Sequence, residues 1–368
     1  MAQSDDARYM ALALSLGRRG LGRTWPNPAV GAVIVKDGVI VGRGWTQDGG
    51  RPHAEIEALR RAGEAANDAT FGATLYVTLE PCSHHGKSPP CADAVIAAGI
   101  SRVVSALEDP NPEVAGQGHA RLRAAGLAVD IGLGADEARH DHAGHILRFT
   151  AGRPHVLLKL AISADGKAGA AGRKPVAITG EAVRDRVHLL RAQSDAIMIG
   201  IGTALADDPL LTCRLPGMAK NSPVRIVADS MLRLPIGARL VQSARDTPVW
   251  VLTGAAAPQE AENVLQAHGV KVLRLPESTD PLALKAGLEF LAAKGITRLM
   301  VEGGPTLADA FIAADLVDEA ILFHSAKMVG ADAVDALDAA ALATLAERLN
   351  RVTGAAVGAD RQDLYERR

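Results

Sequence analysis

Aromatic residues and cysteines are both scarce in this sequence. Phenylalanine, tryptophan and tyrosine make up 3% of its 368 residues, whereas alanine and glycine are abundant, so we expect an aliphatic core. Few aromatic rings also disfavour single-stranded nucleic acid as a partner, because its bases bind largely by stacking on such rings. Three cysteines cannot form a disulfide framework without leaving one unpaired.

Neither an excess of one charge nor a long apolar run is present. Forty lysines and arginines oppose 42 acidic residues, for a formal charge of -2, which argues against the basic surface that nucleic-acid binding requires. No apolar run is long enough to span a membrane, and the opening MAQSDDARYM is polar, unlike a secretory signal. We therefore expect a cytoplasmic protein without nucleic-acid or membrane partners.

The order of predicted elements indicates two α/β domains. A chain of 368 residues exceeds the usual size of one hydrophobic core. Strands alternate with helices throughout, which is typical of parallel or mixed sheets covered by helices. A boundary is predicted near 145–154, with one domain over 1–147 and another over 148–368. Helices are predicted over 7–21, 53–66, 91–99, 181–193, 282–294 and 331–346, and a hairpin turn at Lys36-Asp37-Gly38.

Four residues of the first half have the chemistry of a catalytic zinc site. His53 opens a predicted helix, Cys82 ends a predicted strand and Cys91 opens the next helix, so all three stand on rigid supports. A catalytic zinc takes three protein ligands of these types and leaves a fourth position to water. Glu55 can reach that water as a proton shuttle. Together, the H-x-E and P-C…C elements are the signature of zinc nucleobase deaminases.

Other arrangements of these residues remain open. His84 and His85 lie between the two cysteines and are rival zinc ligands. A closed structural site would need a fourth protein ligand, such as His84, and no acid or base, so Glu55 discriminates between the two interpretations. Cys213 lies far along the chain and is expected to be a buried or semi-buried thiol.

A glycine-rich turn marks a candidate phosphate site in the second half. The segment GIGTAL at 200–205 lacks the spacing of a Rossmann fingerprint. In VEGGPTLADA, residues 301–310, a predicted strand runs into two glycines, and Pro305 and Thr306 then begin a helix. Such a turn lets backbone N–H groups approach a phosphate at the helix N-terminus.

Four motifs of the first half indicate a particular family of deaminases. They are NPAVGAVIV, HAEIEAL, TLEPCSHHGKSPPC and EDPNPEVAGQG, and eight residues separate the two cysteines of the third motif. This set resembles the N-terminal deaminase of the RibD family of bifunctional riboflavin-biosynthesis proteins. The resemblance implies zinc ligands at His53, Cys82 and Cys91, a proton shuttle at Glu55, and pyrimidine or phosphate contacts at Asn27, His84, Lys87, Asp109 and Asn111. Lys87 suits a phosphate because its ammonium is a compact charge.

The second half continues the resemblance. KLAISADGK, ITGEAVRDRVHLLRAQSDAIMIGIGTALADDPLLTCR, VRIVADS and VEGGPTLA resemble, in this order, the reductase half of the same family. The implied cofactor residues are Ala161, Ala177, Thr203, Asp207, Ser230, Gly304, Pro305 and Thr306. The implied substrate residues are Pro175, Arg191, Leu210, Arg214 and Glu302. Two arginines suit a sugar phosphate, since guanidinium groups bind its oxygens in pairs.

Two segments depart from the family pattern. PVAIT stands where many members have SxWIT, so Pro175 and Ala177 replace a hydroxyl and an aromatic ring. SAK at 325–327 stands where APK is usual. These changes bear on cofactor affinity rather than on the class of reaction.

The resemblance implies a fold and two reactions. The first domain would have a cytidine-deaminase-like three-layer α/β/α fold, and the second a dihydrofolate-reductase-like α/β fold. The first would use one zinc ion to deaminate a diaminopyrimidinone ribotide, and the second would use NADPH to reduce its ribosyl group, in a dimer or tetramer. Two alternatives remain: a deaminase of a free base, nucleoside or tRNA with a merely ligand-binding second domain, and a structural zinc module on a nucleotide-binding scaffold.

Overall fold

The chain forms two compact units, Met1–Gly152 and Arg153–Arg368. The computed structural model describes residues 2–65, 68–84, 89–173, 176–276 and 284–367. Within these ranges, no helix is both long and apolar enough to cross a membrane. The predicted domains, 1–147 and 148–368, stay a prediction, and each unit is described by itself below.

The first unit is built on one mixed sheet. Its elements are α1 (Ala2–Gly17), β1 (Gly31–Lys36), β2 (Val39–Trp45), α2 (Ala54–Ala65), β3 (Thr74–Val77), α3 (Cys91–Ala97), β4 (Arg102–Ser105), α4 (Gln117–Ala124), β5 (Ala128–Ile131), α5 (Ala135–Asp141) and α6 (Ala143–Thr150). Over the described residues the strand order is β2-β1-β3-β4-β5. The first three strands pair antiparallel, and β3, β4 and β5 run parallel.

Alternation along β1 divides the core into two layers. Ala32 and Ile34 pack with residues of α2, α3 and α4, whereas Val33 and Val35 pack with residues of α1 and α5. Each fully buried valine or isoleucine stabilises the fold by about 1.5–3 kcal/mol. The sheet is therefore covered by helices on both faces, and the predicted three-layer α/β/α fold is confirmed.

Two glycines let helices lie directly on the sheet. A Cβ atom at Gly44 would come within 2.2 Å of the Ala54 carbonyl oxygen, and one at Gly31 within 1.8 Å of the Ala13 carbonyl oxygen. Any larger residue would push α2 or α1 away from the strands. The close contact at Gly44 fixes the first turn of α2, which carries Glu55, against β2.

The second unit is built on a longer, largely parallel sheet. The strands of the unit are β6 (His155–Ile162), β7 (Lys167–Gly169), β8 (Ala196–Gly200), β9 (Val224–Ala228), β10 (Val249–Thr253), β11 (Lys271–Arg274), β12 (Arg298–Val301), β13 (Glu319–His324), β14 (Val334–Asp335), β15 (Leu349–Val357) and β16 (Asp360–Arg367). Among them, β7 and β14 pair with each other in a separate two-stranded sheet. Its helices are α7 (Glu181–Ala192), α8 (Ile201–Asp207), α9 (Arg239–Gln242), α10 (Gln259–Ala267), α11 (Leu284–Ala293), α12 (Pro305–Ala313) and α13 (Ala339–Arg348).

The strand order of the second unit explains where a site can form. Over the described residues it is β11-β10-β9-β8-β12-β6-β13-β16-β15, parallel up to β13, with an antiparallel hairpin of β15 and β16 at one edge. Because β8 and β12 are parallel neighbours, the residues that follow them meet at one edge of the sheet. The turn after β12 thus comes to lie beside α8.

Several local predictions can be compared with the structure. The hairpin at Lys36-Asp37-Gly38 is confirmed, and Asp37 and Gly38 have φ angles of 52° and 77°, as a tight hairpin turn requires. The helix predicted over 331–346 is wrong in its first half. Asp338 caps α13 by accepting from the Ala341 N–H at 2.6 Å, and β14 occupies part of the preceding segment.

Candidate active sites

The ends of three neighbouring elements bring His53, Cys82 and Cys91 together. His53 precedes α2, Cys82 follows β3, and Cys91 is the first residue of α3. His53 Nδ1 lies 3.3 Å from Cys91 Sγ and 3.8 Å from Cys82 Sγ. The Cys91 backbone N–H donates to Cys82 Sγ at 3.3 Å. The fold therefore places an imidazole and two thiols around one point.

These three side chains suit a zinc ion. A tetrahedral zinc would hold sulfur and nitrogen ligands about 3.6 Å apart, and the two observed distances, 3.3 and 3.8 Å, bracket that value. Within the described ranges, His53, Cys82 and Cys91 cluster without a fourth His, Cys, Asp or Glu ligand, and His84 is exposed and outside the cluster. The rival His85 lies outside the described residues.

Burial and mutual contact shift the pKa values of the cluster. Hydrogen bonds from Cys91 and His53 lower the pKa of Cys82 to about 4, which makes Cys82 the thiolate of the pair. The contact with Cys82, together with burial, raises the pKa of Cys91. A bound cation would reverse that rise, because a coordinated thiol loses its proton. Burial also raises the pKa of Glu55 to about 7.

A cavity of about 180 Å³ connects this cluster with the predicted substrate residues. Glu55 is only 3% exposed and lines the cavity beside His53 and Cys82. Four of the five predicted substrate residues also line it, namely Asn27, His84, Asp109 and Asn111. The fifth, Lys87, lies outside the described residues.

Internal hydrogen bonds hold these cavity residues in place. Asn27 Nδ2 donates to the Gly50 carbonyl oxygen at 2.8 Å. Asp109 Oδ1 accepts from the Asn111 backbone N–H at 2.9 Å and lies 3.2 Å from His145 Nε2. Burial opposes ionisation of Asp109, but the contacts with His145 and the Asn111 N–H and the nearby His142 together lower the pKa of that carboxyl group. Asp109 therefore faces the cavity as a charged acceptor.

Sequence reasoning missed Glu80, which organises the loop carrying Asp109. The buried Glu80 carboxylate accepts backbone N–H groups of Asp109, Gly116 and His119, each at 3.0 Å. Glu80 also clusters with Glu108 and His119, but its oxygens are already used by the loop. These hydrogen-bond partners lie 29 to 39 residues after Glu80 in the sequence. The TLEPC segment alone therefore does not predict the contacts.

Helix α6 adds further cavity residues that the motifs did not include. His145, Arg148 and Phe149 all line the cavity beside the cluster. His145 and Arg148 are three residues apart, which places them on one face of the helix. No sequence motif marked this helix. Its place at the cavity depends on contacts between residues distant in sequence, such as the hydrogen bond from Arg148 Nη1 to the Pro26 carbonyl oxygen at 3.0 Å.

The second unit contains a cavity of about 390 Å³ at the ends of β8 and β12. It is lined by Thr203 and Asp207 of α8, by Gly304 and Pro305 at the start of α12, and by Ala177. The Gly304 N–H donates to Thr203 Oγ1 at 3.1 Å, and a Cβ atom at Gly304 would approach the same oxygen to 3.2 Å. The start of α12 thus opens on the cavity, in an arrangement that fits a phosphate of a dinucleotide.

The remaining predicted cofactor positions are less closely grouped. Ala161 lies in β6, Ser230 follows β9, and Thr306 is exposed in the first turn of α12; none lines that cavity over the described residues. The two segments that depart from the family pattern touch each other, because Lys327 Nζ donates to the Ala177 carbonyl oxygen at 2.6 Å. Pro175 lies outside the described residues.

Two predicted substrate residues form an ion pair. Glu302 follows β12, and its carboxylate accepts from Arg191 Nε and Nη2, each at 3.0 Å. Lys159 of β6, which sequence reasoning missed, adds a contact at 3.4 Å. Burial would raise the pKa of Glu302, but Lys159 and Arg191 together lower it. Glu302 is therefore a partly buried, charged anchor for two cations.

Arg214 lies near this anchor and lacks a carboxylate partner within the described residues. Its backbone N–H faces His188 Nδ1 at 3.4 Å, and burial followed by the nearby Arg191 lowers the pKa of Arg214. The predicted Leu210 is held through its carbonyl oxygen, which accepts from the buried Arg225 at 3.1 Å. Cys213 is buried, as predicted.

The fold and the two sites define a deaminase domain of the zinc-binding class joined to a reductase domain of the kind that uses a nicotinamide cofactor. The family model described as the cytidine and deoxycytidylate deaminase zinc-binding region matches residues 3–107, and that of the RibD C-terminal domain matches residues 154–358. The chain belongs to the RibD family and is a bifunctional deaminase and reductase of riboflavin biosynthesis.

Individual relatives agree with this assignment over most or all of the chain. The Escherichia coli (strain K12) riboflavin biosynthesis protein RibD is 45% identical over 340 residues, covering 89% of this chain and 90% of the relative. The Acinetobacter baumannii RibD structure (form 1) has a TM-score of 0.87 at 36% identity and covers 99% of both chains. A Thermotoga maritima deaminase/reductase structure has a TM-score of 0.86 at 33% identity and covers both chains completely, at 100%.

Proposed function

We propose that the first unit deaminates 2,5-diamino-6-(5-phosphoribosylamino)pyrimidin-4-one with a bound zinc ion. The second unit then reduces the ribosyl group with NADPH, which yields 5-amino-6-(5-phosphoribitylamino)uracil. The printed name of the Thermotoga maritima relative describes a diaminohydroxyphosphoribosylaminopyrimidine deaminase and a 5-amino-6-(5-phosphoribosylamino)uracil reductase. The observation that carries the proposal is the buried Glu55 in a cavity shared with His53 and Cys82.

In the deamination, His53, Cys82 and Cys91 would hold the metal. Zinc held there supplies the Lewis acidity that makes water a nucleophile near neutral pH. Glu55 accepts a proton from the attacking water while a C–O bond forms at the amino-bearing ring carbon. Glu55 then delivers that proton to the departing nitrogen, the C–N bond breaks, and ammonia leaves.

Polar residues of the same cavity would orient the substrate. Asn27, His84, Asp109 and Asn111 line it and offer donors and acceptors to the pyrimidine and the ribose. The Glu80 carboxylate keeps the Asp109 loop in position through three backbone hydrogen bonds. Lys87 is proposed as a phosphate contact from its place in the motif alone.

In the reduction, the cavity beside α12 would bind NADPH. Thr203, Asp207, Gly304, Pro305 and Ala177 line it, and the start of α12 suits a phosphate of the cofactor. Cofactor contacts are also proposed at Ala161, Ser230 and Thr306, where family motifs match. NADPH bound there would supply a hydride to the ribosyl C1′ and leave as NADP⁺, while the bond from C1′ to the ring oxygen opens and that oxygen takes up a proton from solvent to become the ribityl hydroxyl.

Substrate contacts of the reductase are proposed around the partly buried ion pair of Arg191 and Glu302. Glu302 holds Arg191 and Lys159, so these cations are oriented before substrate arrives. Arg214, which makes no ion pair within the described part of the chain, is the cation that best suits the sugar phosphate. Leu210 and Pro175 complete the proposed set.

The compartment and the assembly are proposed with the function. A reducing cytoplasm suits the site, because the Cys82 thiolate and Cys91 must stay unoxidised to bind a metal. Assembly of the chain into a homodimer or homotetramer stays a prediction.

The first test supplies the purified enzyme with the diaminopyrimidinone ribotide and NADPH. We expect one ammonia released and one NADPH oxidised per ribotide, with NADPH oxidation lagging behind ammonia release because reduction acts on the deaminated product. When NADPH is omitted, ammonia release should continue. NADPH oxidation without ammonia release would contradict the proposed order, and an inactive enzyme with intact zinc would contradict the proposed substrate.

A further inference from the structure

The deaminase cavity is too small to enclose a whole ribotide. Its volume of about 180 Å³ is below the roughly 300–1,000 Å³ of typical small-molecule sites. The reacting ring carbon must reach Glu55, which is 3% exposed. The pyrimidine therefore occupies the interior, and the ribose phosphate extends toward the mouth, where partly exposed residues lie.

Arg148 is a partly buried cation on the lining of this cavity. Its Nη1 donates to the Pro26 carbonyl oxygen at 3.0 Å, beside the predicted substrate residue Asn27. Its guanidinium carbon lies 5.7 Å from the centre of the Phe149 ring. Within the described residues, Arg148 makes no ion pair with a carboxylate, and Nε and Nη2 make no hydrogen bond.

This environment leaves the charge of Arg148 uncompensated. Burial without a counter-charge lowers the pKa of Arg148, whereas Arg102 and Arg153 of the same chain are held by carboxylates at 2.8 and 2.6 Å. A partly desolvated guanidinium gains most from an anion that accepts two hydrogen bonds. Nε and Nη2 present such a pair of donors.

The orientation of α6 supports the same conclusion. His145, one turn before Arg148, places Nε2 at 3.2 Å from Asp109 Oδ1. Residues three apart share a helix face, so this face of α6 is directed at the cavity. Arg148 lies nearer the end of the helix and is more exposed than His145.

We propose that Arg148 binds the 5′-phosphate of the ribotide at the mouth of the deaminase cavity. The inference rests on the deaminase function proposed above and adds to it a second phosphate contact besides the proposed Lys87. Arg148 is a binding residue, and the proton transfers remain with Glu55. Its fork of donors suits a phosphate better than a lysine ammonium would.

The test compares the ribotide with the riboside that lacks the phosphate. Arg148→Gln should lower kcat/KM for the ribotide by about 30- to 100-fold, because a charge-assisted pair of hydrogen bonds is lost. The same substitution should change kcat/KM for the riboside little. Arg148→Lys should recover part of the ribotide rate, since it keeps the charge but not the fork.

A control variant and the pattern of losses distinguish phosphate binding by Arg148 from a purely structural role. Arg139→Gln, an exposed arginine of α5 paired with Asp136, should behave as wild type with both substrates. An equal loss for ribotide and riboside in Arg148→Gln would mean that Arg148 only supports the Pro26 loop. An undiminished ribotide rate would overturn the proposal as well. A wild-type enzyme that releases no ammonia from the ribotide would instead contradict the proposed function.

Discussion

Replacing Glu55 with glutamine should lower ammonia release by about 10³-fold or more while zinc stays bound. Glutamine keeps the size of the side chain but cannot take a proton from water or return it to ammonia, and general acid–base catalysis contributes about 10²–10⁴-fold. The ligands His53, Cys82 and Cys91 are unchanged. Ammonia release and zinc content, measured on the same preparation, test both halves of this expectation.

A matched control lies on the same helix. Glu64 of α2 is exposed and pairs only with Arg60 in the described structure, so Glu64→Gln should retain zinc and activity. Reduction of separately supplied deaminated product should be unaffected in Glu55→Gln. Retained deamination in Glu55→Gln would contradict the proposed proton shuttle, and loss of zinc would instead place Glu55 among the metal ligands.

Replacing Glu302 with glutamine should lower the reductase kcat/KM by about 10²-fold and leave deamination intact. The neutral amide no longer holds Arg191 and Lys159 at 3.0 and 3.4 Å, so the proposed sugar-phosphate site loses its geometry. Misplacement of substrate-binding groups by about 1 Å can cost about 10²-fold. NADPH oxidation with the deaminated product as substrate measures the loss.

Two further measurements keep that result interpretable. NADPH binding, proposed at Thr203 and Gly304, should change little in Glu302→Gln, which shows that the second unit is folded. Glu260→Gln, on the exposed side of α10, is the matched control and should reduce the product normally. Full reductase activity in Glu302→Gln would mean that the ion pair is not part of the proposed substrate site. A parallel loss of deamination would contradict the expectation of two separate sites.

Local patterns in the sequence predicted the supports of the first site well. His53 and Cys91 stand at helix starts, and Cys82 follows a strand, as their spacing indicated. The Lys36-Asp37-Gly38 turn has a conformation that its residue types favour. These features depend on neighbours close in sequence, which is why the sequence alone could reveal them.

Long-range pairing could not be predicted in the same way. The contact of Arg191 with Glu302 spans 111 residues, and both side chains are partly or fully buried rather than exposed charges. Strands β15 and β16 were not predicted, because most of β15 is exposed and lacks an alternating apolar pattern. The position of Arg148 likewise depends on how α6 packs, which no local motif encodes.

We expect the chain to carry two independent active sites that act consecutively on the ribotide. Either Glu55→Gln or Glu302→Gln, supplied alone with the ribotide, should oxidise NADPH far more slowly than wild type. The first makes deaminated product about 10³-fold more slowly, and the second reduces it with a kcat/KM about 10²-fold lower. An equal mixture of the two proteins should restore NADPH oxidation, because product released by the intact deaminase reaches the intact reductase. A mixture as inactive as either variant, with both proteins folded, would contradict the account.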